Sequence, residues 1–411
     1  MLWFCAVAFV LRLVYILILV PLNEDFYWEY GEIVKNLHAG KGYSLFYIKD
    51  SKIEFKSREG ASPAPSAFMP PGYTAFLFPF FYIDNILLRN LLILIAQAIM
   101  GSLVVLVAYV VTRKYFTPLS AIIASLIVSL LPEFLYAAGS YSPVVILHLM
   151  VLLVFINLDN SKTMNEVGSA VGMSVLFALL IYLRSELALF VFAVVVMLFF
   201  RKQYRSALLI AGVCWALLLP WQVRNAATFG TFVPFTTNGG LNLYRGNNPV
   251  GIGAWGDDVI MGQLQVLSRG DDLELRMQQI FVDRAVQTMQ EEPTKTALLG
   301  FVKLFHLWGL NPKDERALSV YYLVPWGLLL VVFVVGVVGS RSWRRHMPLY
   351  LFLLSSSVIS FVFFALPRYQ TMMKIAVVPF AAYGFEVLIR RFGGRILPKD
   401  GTNVLVDLLA R

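Results

Sequence analysis

Acidic side chains are concentrated in a polar stretch that directly follows the first hydrophobic run, in the sequence NEDFYWEYGEIVKNL. A carboxylate within hydrogen-bonding distance of a hydroxyl or an amine can act as a general base, and partial burial among aromatic rings tunes its pKa for that role. The stretch therefore predicts a catalytic carboxylate, with Asp25 and Glu29 as the main candidates and Glu24 as a third. The competing interpretation is a solvated loop whose acidic residues only keep it in water.

Arginines at predicted helix ends form the second group of candidates. They are Arg184 in YLRSE, Arg224 in PWQVRN, Arg245 in LYRGNNP and Arg368 in LPRYQ. A guanidinium binds phosphate through paired hydrogen bonds, so the set predicts a site for the phosphate of an anionic, lipid-linked substrate. For each arginine alone, a lipid headgroup contact or a salt bridge, such as Arg184 with Glu186, is the competing interpretation.

Side-chain amides form a third group, because Asn242, Asn247 and Asn248 lie in the glycine-rich segment NGGLNLYRGNNP and can bind sugar hydroxyls. Tyr73, in the proline-closed segment PSAFMPPGY, is a further candidate for substrate binding. The glycine-rich segment matches no nucleotide-binding fingerprint, and ordinary turns are its alternative interpretation. No cofactor motif is present, although carboxylates in the polar loops could coordinate a hard divalent cation.

The chain that must position these residues is strongly apolar, with 58% hydrophobic residues among 411 and a mean hydropathy of +0.71. Apolar runs approaching the ~20 residues needed to cross a bilayer recur along it. This predicts an all-α integral membrane protein, a polytopic helical bundle with about ten crossings. Much of the net charge of +9 lies in short basic clusters at helix ends. That pattern is typical of cytoplasmic loops, so no nucleic-acid partner is predicted.

The predicted crossings alternate so that the basic clusters lie in the cytoplasm. They cover residues 1–21, 86–112, 118–138, 143–158, 167–183, 186–200, 205–220, 318–339, 348–366 and 371–389. Residues 22–70 and 221–317 then form two large loops on the outer side of the plasma membrane, provided that the short stretches 72–83 and 297–312 do not cross. Residues 1–390 form the membrane domain, and residues 391–411 form a short cytoplasmic tail.

The first outer loop has a predicted helix of its own. An apolar stripe at three- and four-residue steps runs from Tyr27 to Leu37, which predicts a short amphipathic helix on the membrane surface. The glycines that follow suit a helix cap and a turn, and residues 48–62 are predicted to be an exposed connection. Arg12, inside the first span, is either a structural arginine that faces the bundle or a functional one.

Two longer segments resemble a known enzyme family. EDFYWEYGEIVKNLHAGKGYS, followed by PSAFMPPGYTAFL, is similar to the start of the GT-C membrane glycosyltransferases. More specifically, the segments resemble the family 39-like group, which includes protein O-mannosyltransferases and lipid A aminoarabinose transferases. The later PWQVRNAATFGTFVPFTTNGGLNLYRGNNP resembles the PW-x-x-RN…FG-x-FVP…G-x-x-L-x-x-GNN segment of bacterial and archaeal members. The resemblance covers roughly residues 1–390.

The resemblance implies a glycosyltransferase with a polyprenyl-phosphate-linked sugar donor and an active site at the outer membrane surface. It implies that an acidic residue of the first outer loop acts as base or positions the acceptor, and that basic residues hold the donor phosphate. Asn23 stands where many members carry an aspartate. The base therefore stays open between Asp25, with Glu24 beside it, and Glu29, which lies in a W-E-x-G-x-I pattern. The acceptor is a protein, a lipid or a glycan.

A transporter or flippase of lipid-linked sugars is the alternative function. That class predicts ionisable residues near the bilayer midplane and inverted internal repeats. The predicted spans contain few charges apart from Arg12, and the sequence has no visible repeat. A non-catalytic membrane scaffold is the second alternative. Location of the two large loops on opposite faces would exclude the transferase interpretation.

Overall fold

Helices make up most of the structure, a computed structural model that describes residues 2–49, 52–54, 62–158, 166–249, 272–312 and 315–393. The helices are α1 (Leu2–Leu19), α2 (Trp28–His38), α3 (Pro71–Leu77), α4 (Ile86–Tyr115), α5 (Pro118–Leu130), α6 (Pro132–Gly139), α7 (Val144–Asn157), α8 (Val167–Leu183), α9 (Ala188–Phe200), α10 (Tyr204–Phe229), α11 (Gly239–Gly246), α12 (Leu273–Glu291), α13 (Pro293–Trp308), α14 (Glu315–Leu318), α15 (Val320–Gly339), α16 (Met347–Val362) and α17 (Pro367–Gly393). The predicted tail, 391–411, lies outside the described residues from position 394 onward.

The long apolar helices are those of an integral membrane protein. Four of them, α4, α10, α15 and α17, are long and apolar enough to cross a membrane, and the pair α5–α6, bent by 52°, is a fifth candidate. Each remaining predicted span contains one shorter apolar helix, namely α1, α7, α8, α9 or α16. The helical membrane bundle is therefore observed, whereas the number of crossings, about ten, stays a prediction.

A proline breaks the α5–α6 pair and accounts for the buried arginine of α1. Pro132 has no N–H, so the carbonyl of Val128, four residues earlier, lacks its helical donor. Arg12 supplies one, since its Nη2 donates to Val128 O at 3.1 Å while its Nη1 donates to Ala8 O at 3.0 Å. Arg12 is buried in the bundle. These contacts favour the structural interpretation of this residue.

The two large loops form one unit at the same end of the bundle. Apolar side chains from both loops share a core that contains Ile33, Leu45, Phe46, Phe68, Leu241, Tyr244, Leu273, Met277, Phe281 and Ala285. Burial of apolar surface drives such packing. The described parts of the two loops therefore pack against each other, whereas their position relative to the membrane stays a prediction.

The first loop contains β structure, so the all-α prediction is wrong there. Strand β1 (Ser44–Lys49) pairs in an antiparallel manner with β2 (Lys52–Glu54) on one side and with β3 (Ser62–Pro65) on the other. The prolines of β3 lie on an edge strand, where a missing N–H costs no ladder hydrogen bond. The described parts of the predicted exposed connection over 48–62 belong to these strands, because short, partly charged strands resemble a loop in sequence.

The apolar stripe of α2 faces the protein and not the membrane surface. Tyr27 and Tyr30 are buried in the main core of the bundle. The prediction of an interfacial helix is therefore wrong for α2, which instead joins the bundle to the loop unit. The predicted cap and turn are confirmed, because α2 ends at His38 and both Gly40 (φ 72°) and Gly42 (φ 69°) have left-handed backbones.

Glu274 is a buried carboxylate on α12 that links the two loops. Its Oε2 accepts hydrogen bonds from the Ala67 N–H at 2.8 Å and from the Thr237 hydroxyl at 2.6 Å. The Thr237 N–H donates in turn to Ala67 O at 3.0 Å. Burial raises the pKa of Glu274 more than these hydrogen bonds lower it. The hydrogen bonds between the two loops thus depend on a carboxyl group whose ionised form is destabilised by its burial.

Replacement of Glu274 tests this link. Glu274→Ala leaves two buried donors unpaired, so we expect the protection of the Ala67 amide to fall by about 2–4 kcal/mol. Glu274→Gln keeps an acceptor oxygen and should have a much smaller effect. Because the pKa of Glu274 is raised in the folded protein, its carboxyl group stabilises the fold most at pH values below the ordinary glutamate pKa. This contribution is lost as the pH rises through the raised pKa of the folded state. Hydrogen exchange over a pH series measures both effects, and equal losses in the two variants would contradict the link.

Candidate active site

Three segments of the chain converge around Tyr30 at the end of the bundle that carries the loops. They are the first turn of α2 with Glu29, the α8–α9 connection with Arg184 and Glu186, and the first turn of α17 with Arg368. Burial raises the pKa of Tyr30, the two carboxylates raise it further and the two guanidinium groups lower it. Tyr30 thus lies within a cluster of mixed charge that combines distant parts of the sequence.

Tyr369 brings the two arginines of this cluster together. The guanidinium carbon of Arg184 lies 4.6 Å from the centroid of the Tyr369 ring, and that of Arg368 lies 5.5 Å from it. Both distances are typical of cation–π contacts. Glu186 forms an ion pair with Arg184 through Nη2. This salt bridge was the competing interpretation of Arg184 from the sequence. Arg368 is exposed and has no ion pair with any described residue.

Glu29 is the acidic residue of the first loop whose charge acts on Tyr30, as the charges of these two arginines do. It is half-buried in the first turn of α2. Within the described ranges it makes no hydrogen bond or ion pair. Trp28, directly before it, has a left-handed backbone (φ 53°), a conformation that costs of order 1–3 kcal/mol and is concentrated at functional sites. The carboxylate of Glu29 is therefore available for chemistry.

The other two acidic candidates have different surroundings. Asp25 forms an ion pair with Lys35 on α2, and Lys35 also binds Glu32 at 2.9 Å. Glu24 is exposed to solvent. The structure thus separates Glu29, which has no cationic partner among the described residues, from Asp25, whose charge is already compensated. Which of them is the base stays a prediction.

Arg224 packs the first loop onto α10. Its Nη1 donates to Ser66 O at 2.6 Å, and its Nη2 donates to Tyr43 O at 2.8 Å. Both ends of the guanidinium are therefore engaged by backbone carbonyls. Arg245 is half-buried in the last turn of α11. A phosphate-binding role for Arg224 and Arg245 stays a prediction.

The residues predicted to bind substrate mostly form the framework behind the site. The amide of Asn247 donates to two backbone carbonyls, at 2.8 and 2.9 Å, and that of Asn248 donates to one at 3.1 Å. Tyr73 is buried against Tyr30, with ring centroids 5.1 Å apart. Asn242 is half-buried within α11. Direct contact between these side chains and a sugar stays a prediction.

Sequence reasoning missed several residues that complete the cluster, namely Tyr30, Tyr369, Ser185 and Thr236. The hydroxyl oxygens of Ser185 and Thr236 lie 3.1 Å apart, and the Thr236 hydroxyl donates to Asn238 Oδ1 at 3.0 Å. These contacts bring the second loop to the α8–α9 connection. Tyr369 and Ser185 directly follow the candidate arginines in LPRYQ and YLRSE. This adjacency is the only sequence feature that indicates a role for them, and no sequence feature indicates one for Thr236.

Carboxylates are the groups through which this site could hold a cation. Among the residues that the structure describes, no group of three or more histidine, cysteine, aspartate or glutamate side chains is close enough to bind a metal ion. Glu29 and Glu186 both act on Tyr30, and carboxylate oxygens are the ligands that hard divalent cations prefer. A divalent cation at the site stays a prediction.

The fold is similar to solved membrane enzymes, although no protein-family model and no curated protein matches the sequence. The oligosaccharyltransferase of Archaeoglobus fulgidus in complex with zinc and sulfate gives a TM-score of 0.54 at 15% identity, over 99% of this chain and 51% of that one. The same archaeon's oligosaccharyltransferase AglB, in complex with an inhibitory peptide and a dolichol-phosphate, gives 0.53 at 14% identity, over 99% and 54%.

A third similar structure is ArnT from Cupriavidus metallidurans bound to undecaprenyl phosphate, with a TM-score of 0.41 at 14% identity, over 95% of this chain and 77% of that one. The chain spans about half the length of the archaeal enzymes. Those enzymes are GT-C glycosyltransferases. The match to the archaeal enzymes shows that this chain shares their fold, in agreement with the resemblance of the sequence motifs.

Proposed function

We propose that this protein is a glycosyltransferase of the GT-C type that moves a sugar from a polyprenyl-phosphate donor to an acceptor at the outer membrane surface. The observation that carries this proposal is the arrangement around Tyr30. There Glu29, without a cationic partner among the described residues, lies in one cluster with Arg184 and Arg368. A carboxylate that accepts a proton and a guanidinium pair that holds a phosphate are the two groups that this reaction requires.

In the proposed reaction, Glu29 accepts the proton of an acceptor hydroxyl or amine. The acceptor atom attacks the anomeric carbon of the sugar, whose configuration inverts, and the bond between that carbon and the phosphate oxygen breaks. The bonding electrons stay on the phosphate oxygen, and polyprenyl phosphate leaves. Arg184 and Arg368 stabilise the charge that develops on the leaving phosphate. The ion pair with Glu186 holds Arg184 in position for this step.

The lipid nature of the donor is supported by the ligands of the similar enzymes. The archaeal oligosaccharyltransferase was solved with a dolichol-phosphate and, separately, tethered to an acceptor peptide. A site of mixed charge at the end of a membrane bundle suits a donor whose phosphate is polar and whose chain is lipid-soluble. The acceptor presents a hydroxyl or an amine and belongs to a protein, a lipid or a glycan.

The basic clusters support an outer location in the plasma membrane. Arg201 donates to Arg344 O at 3.2 Å, and Arg345 donates to Lys114 O, so the clusters of three predicted inner loops lie together. Helix α17 runs from Arg368, in the site, towards a further basic pair at its other end. Because basic ends face the cytoplasm in most membrane proteins, the site would lie on the opposite, outer side.

Cysteine labelling tests this orientation. Lys41→Cys in the first loop and Glu291→Cys in the second are exposed positions of the loop unit, and Trp343→Cys is exposed in a basic cluster. A membrane-impermeant maleimide applied to intact cells should label the first two, and it should reach the third only after permeabilisation. Labelling of Trp343→Cys alone would contradict the outer location.

A transporter or flippase is the second candidate, and one feature of the bundle favours it. Lys374 and Glu133 form a buried ion pair between α17 and α6, next to the α5–α6 break. The Lys374 Nζ also lies 4.5 Å from the Tyr322 ring centroid and 4.3 Å from that of Trp326. Broken helices and buried charges are typical of transporters. A lysine so fully surrounded equally suits a structural link between helices.

Reconstituted protein separates the two functions. Proteoliposomes would contain a panel of radiolabelled polyprenyl-phosphate sugars and a membrane extract as the source of acceptor. A transferase releases polyprenyl phosphate and labels the acceptor, whereas a flippase moves the intact donor across the bilayer. We expect release for the wild-type protein and much slower release for the Glu29→Gln protein. Translocation of intact donor without release, in both proteins, would contradict the transferase proposal.

A further inference from the structure

Lys303, on α13, is a fully buried lysine whose hydrogen bonds to the described residues all go to neutral oxygens. Its Nζ lies close to Gly246 O (3.3 Å), Asn247 Oδ1 (3.0 Å), Val362 O (3.2 Å) and Phe363 O (3.0 Å). An ammonium has three N–H donors, so this cage satisfies all of them. Burial lowers the pKa of Lys303 to about 8, and the group is still protonated at neutral pH.

The oxygens of this cage belong to the C-terminal ends of two helices. Helix α11 ends at Gly246 and α16 ends at Val362. The last carbonyls of a helix have no intrahelical donor and carry partial negative charge. Lys303 therefore supplies the missing donors of both ends with one ammonium. The two ends also touch directly, because a Cβ added at Gly246 would lie 1.5 Å from Phe363 O, so only glycine fits there.

The end of α16 is connected to the proposed active site by packed aromatic rings. Phe364 is buried, and its ring centroid lies 5.5 Å from that of Tyr369. The Tyr369 N–H donates to Leu366 O at 2.9 Å, which closes the turn at the start of α17. Tyr369 is the ring that Arg184 and Arg368 both contact. A continuous set of contacts thus leads from the lysine cage to the two arginines.

We propose that Lys303 is a positioning residue for donor binding. By joining the ends of α11 and α16, it fixes the connection 363–366, and this connection fixes the Tyr369 ring against which Arg184 and Arg368 are held. The inference rests on the proposed phosphate-binding role of those arginines. Through α11, the second outer loop then affects donor binding without the need for a side chain of that helix to bind the phosphate.

Binding of farnesyl phosphate, a soluble short polyprenyl phosphate, measures this role, and farnesol is the control for the apolar chain. Lys303→Met keeps most of the side-chain volume and removes the ammonium. We expect the Kd for farnesyl phosphate to rise about tenfold, within the range for residues that act through others, and the Kd for farnesol to be unchanged. Lys295→Met is the matched control, since Lys295 lies on the same helix and pairs with Glu292 at the surface.

A double-mutant cycle distinguishes positioning from a loss of stability. If Lys303 acts through the arginines, Lys303→Met should add little to the effect of Arg368→Ala, because the interaction that it supports is already absent. A defect of folding alone lowers the amount of binding protein without changing its Kd. Should Lys303→Met fail to fold, Phe364→Leu interrupts the same contacts further along and should also raise the Kd.

The outcomes separate this inference from the function on which it rests. An unchanged Kd in folded Lys303→Met, or in Phe364→Leu where the lysine variant fails to fold, would overturn the positioning role if Arg368→Ala raises the Kd. An unchanged Kd in Arg368→Ala and Arg184→Ala would instead reject the proposed phosphate site itself. Equal and additive effects of Lys303→Met and Arg368→Ala would show that the lysine acts independently, which also contradicts the inference.

Discussion

Glu29→Gln is expected to reduce the rate of sugar transfer by about 10²–10⁴-fold, the usual contribution of a positioned general base. The amide has the size of the carboxyl group but cannot take the proton of the acceptor. Because Glu29 makes no hydrogen bond or ion pair within the described residues, the substitution removes no structural contact, and folding should be unchanged. The measurement is the initial rate of polyprenyl phosphate release from a labelled donor, with KM for that donor little changed.

Two further variants make this result specific. Asp25→Asn breaks the ion pair with Lys35, so we expect it to weaken the first loop more than it slows the chemistry. Asp283→Asn, at an exposed position of α12, is the matched control for the loss of one negative charge and should have no effect. A full rate in Glu29→Gln with a large loss in Asp25→Asn would assign the base to Asp25.

Arg368→Ala should weaken donor binding by about 10–100-fold, because a hydrogen bond to a charged group contributes roughly 1.5–3 kcal/mol. Its effect should appear in KM for the donor and in the Kd for farnesyl phosphate. Arg368→Lys should give an intermediate loss, since an ammonium keeps the charge but lacks the paired donors of a guanidinium. Because Arg368 is exposed, the difference between wild type and variant should shrink as ionic strength rises.

The other end of the same helix supplies the control for Arg368. Arg390 lies near the end of α17 and pairs with Glu386 at 2.6 Å, among the basic residues predicted to face the cytoplasm. Arg390→Ala removes the same side chain and should leave the donor affinity unchanged. If both arginine variants weakened binding equally, general charge at the membrane surface would explain the effect, and a specific phosphate site at Arg368 would be contradicted.

The membrane architecture could be predicted because it depends on the length and composition of single segments. Each predicted span contains a helix or the bent α5–α6 pair, since a run of apolar residues must satisfy its backbone internally wherever it meets lipid. The β-sheet of the first loop could not be predicted in the same way. Its strands are short and partly charged, and they are stabilised by partners that are distant in sequence, such as α12.

The types of residue in the site could be predicted, but the contacts that each side chain makes could not. A carboxylate in the first loop and arginines at helix ends were visible in the sequence, and the charges of three of these residues act on Tyr30. The sequence could not show that Lys35 compensates Asp25 or that two backbone carbonyls engage Arg224. Such pairings depend on tertiary contacts between segments far apart in the chain. Lys303 lay in a stretch interpreted only as too short to cross.

Photo-crosslinking of the donor lipid tests directly whether the cluster around Tyr30 binds the donor. A polyprenyl phosphate with a diazirine on its first isoprene unit would be bound to the purified protein, irradiated and located by mass spectrometry of the peptides. We expect adducts in the peptides that contain Glu29, Arg184 and Arg368, and competition by unlabelled polyprenyl phosphate but not by polyprenol. Competable adducts confined to other peptides would contradict this placement of the donor.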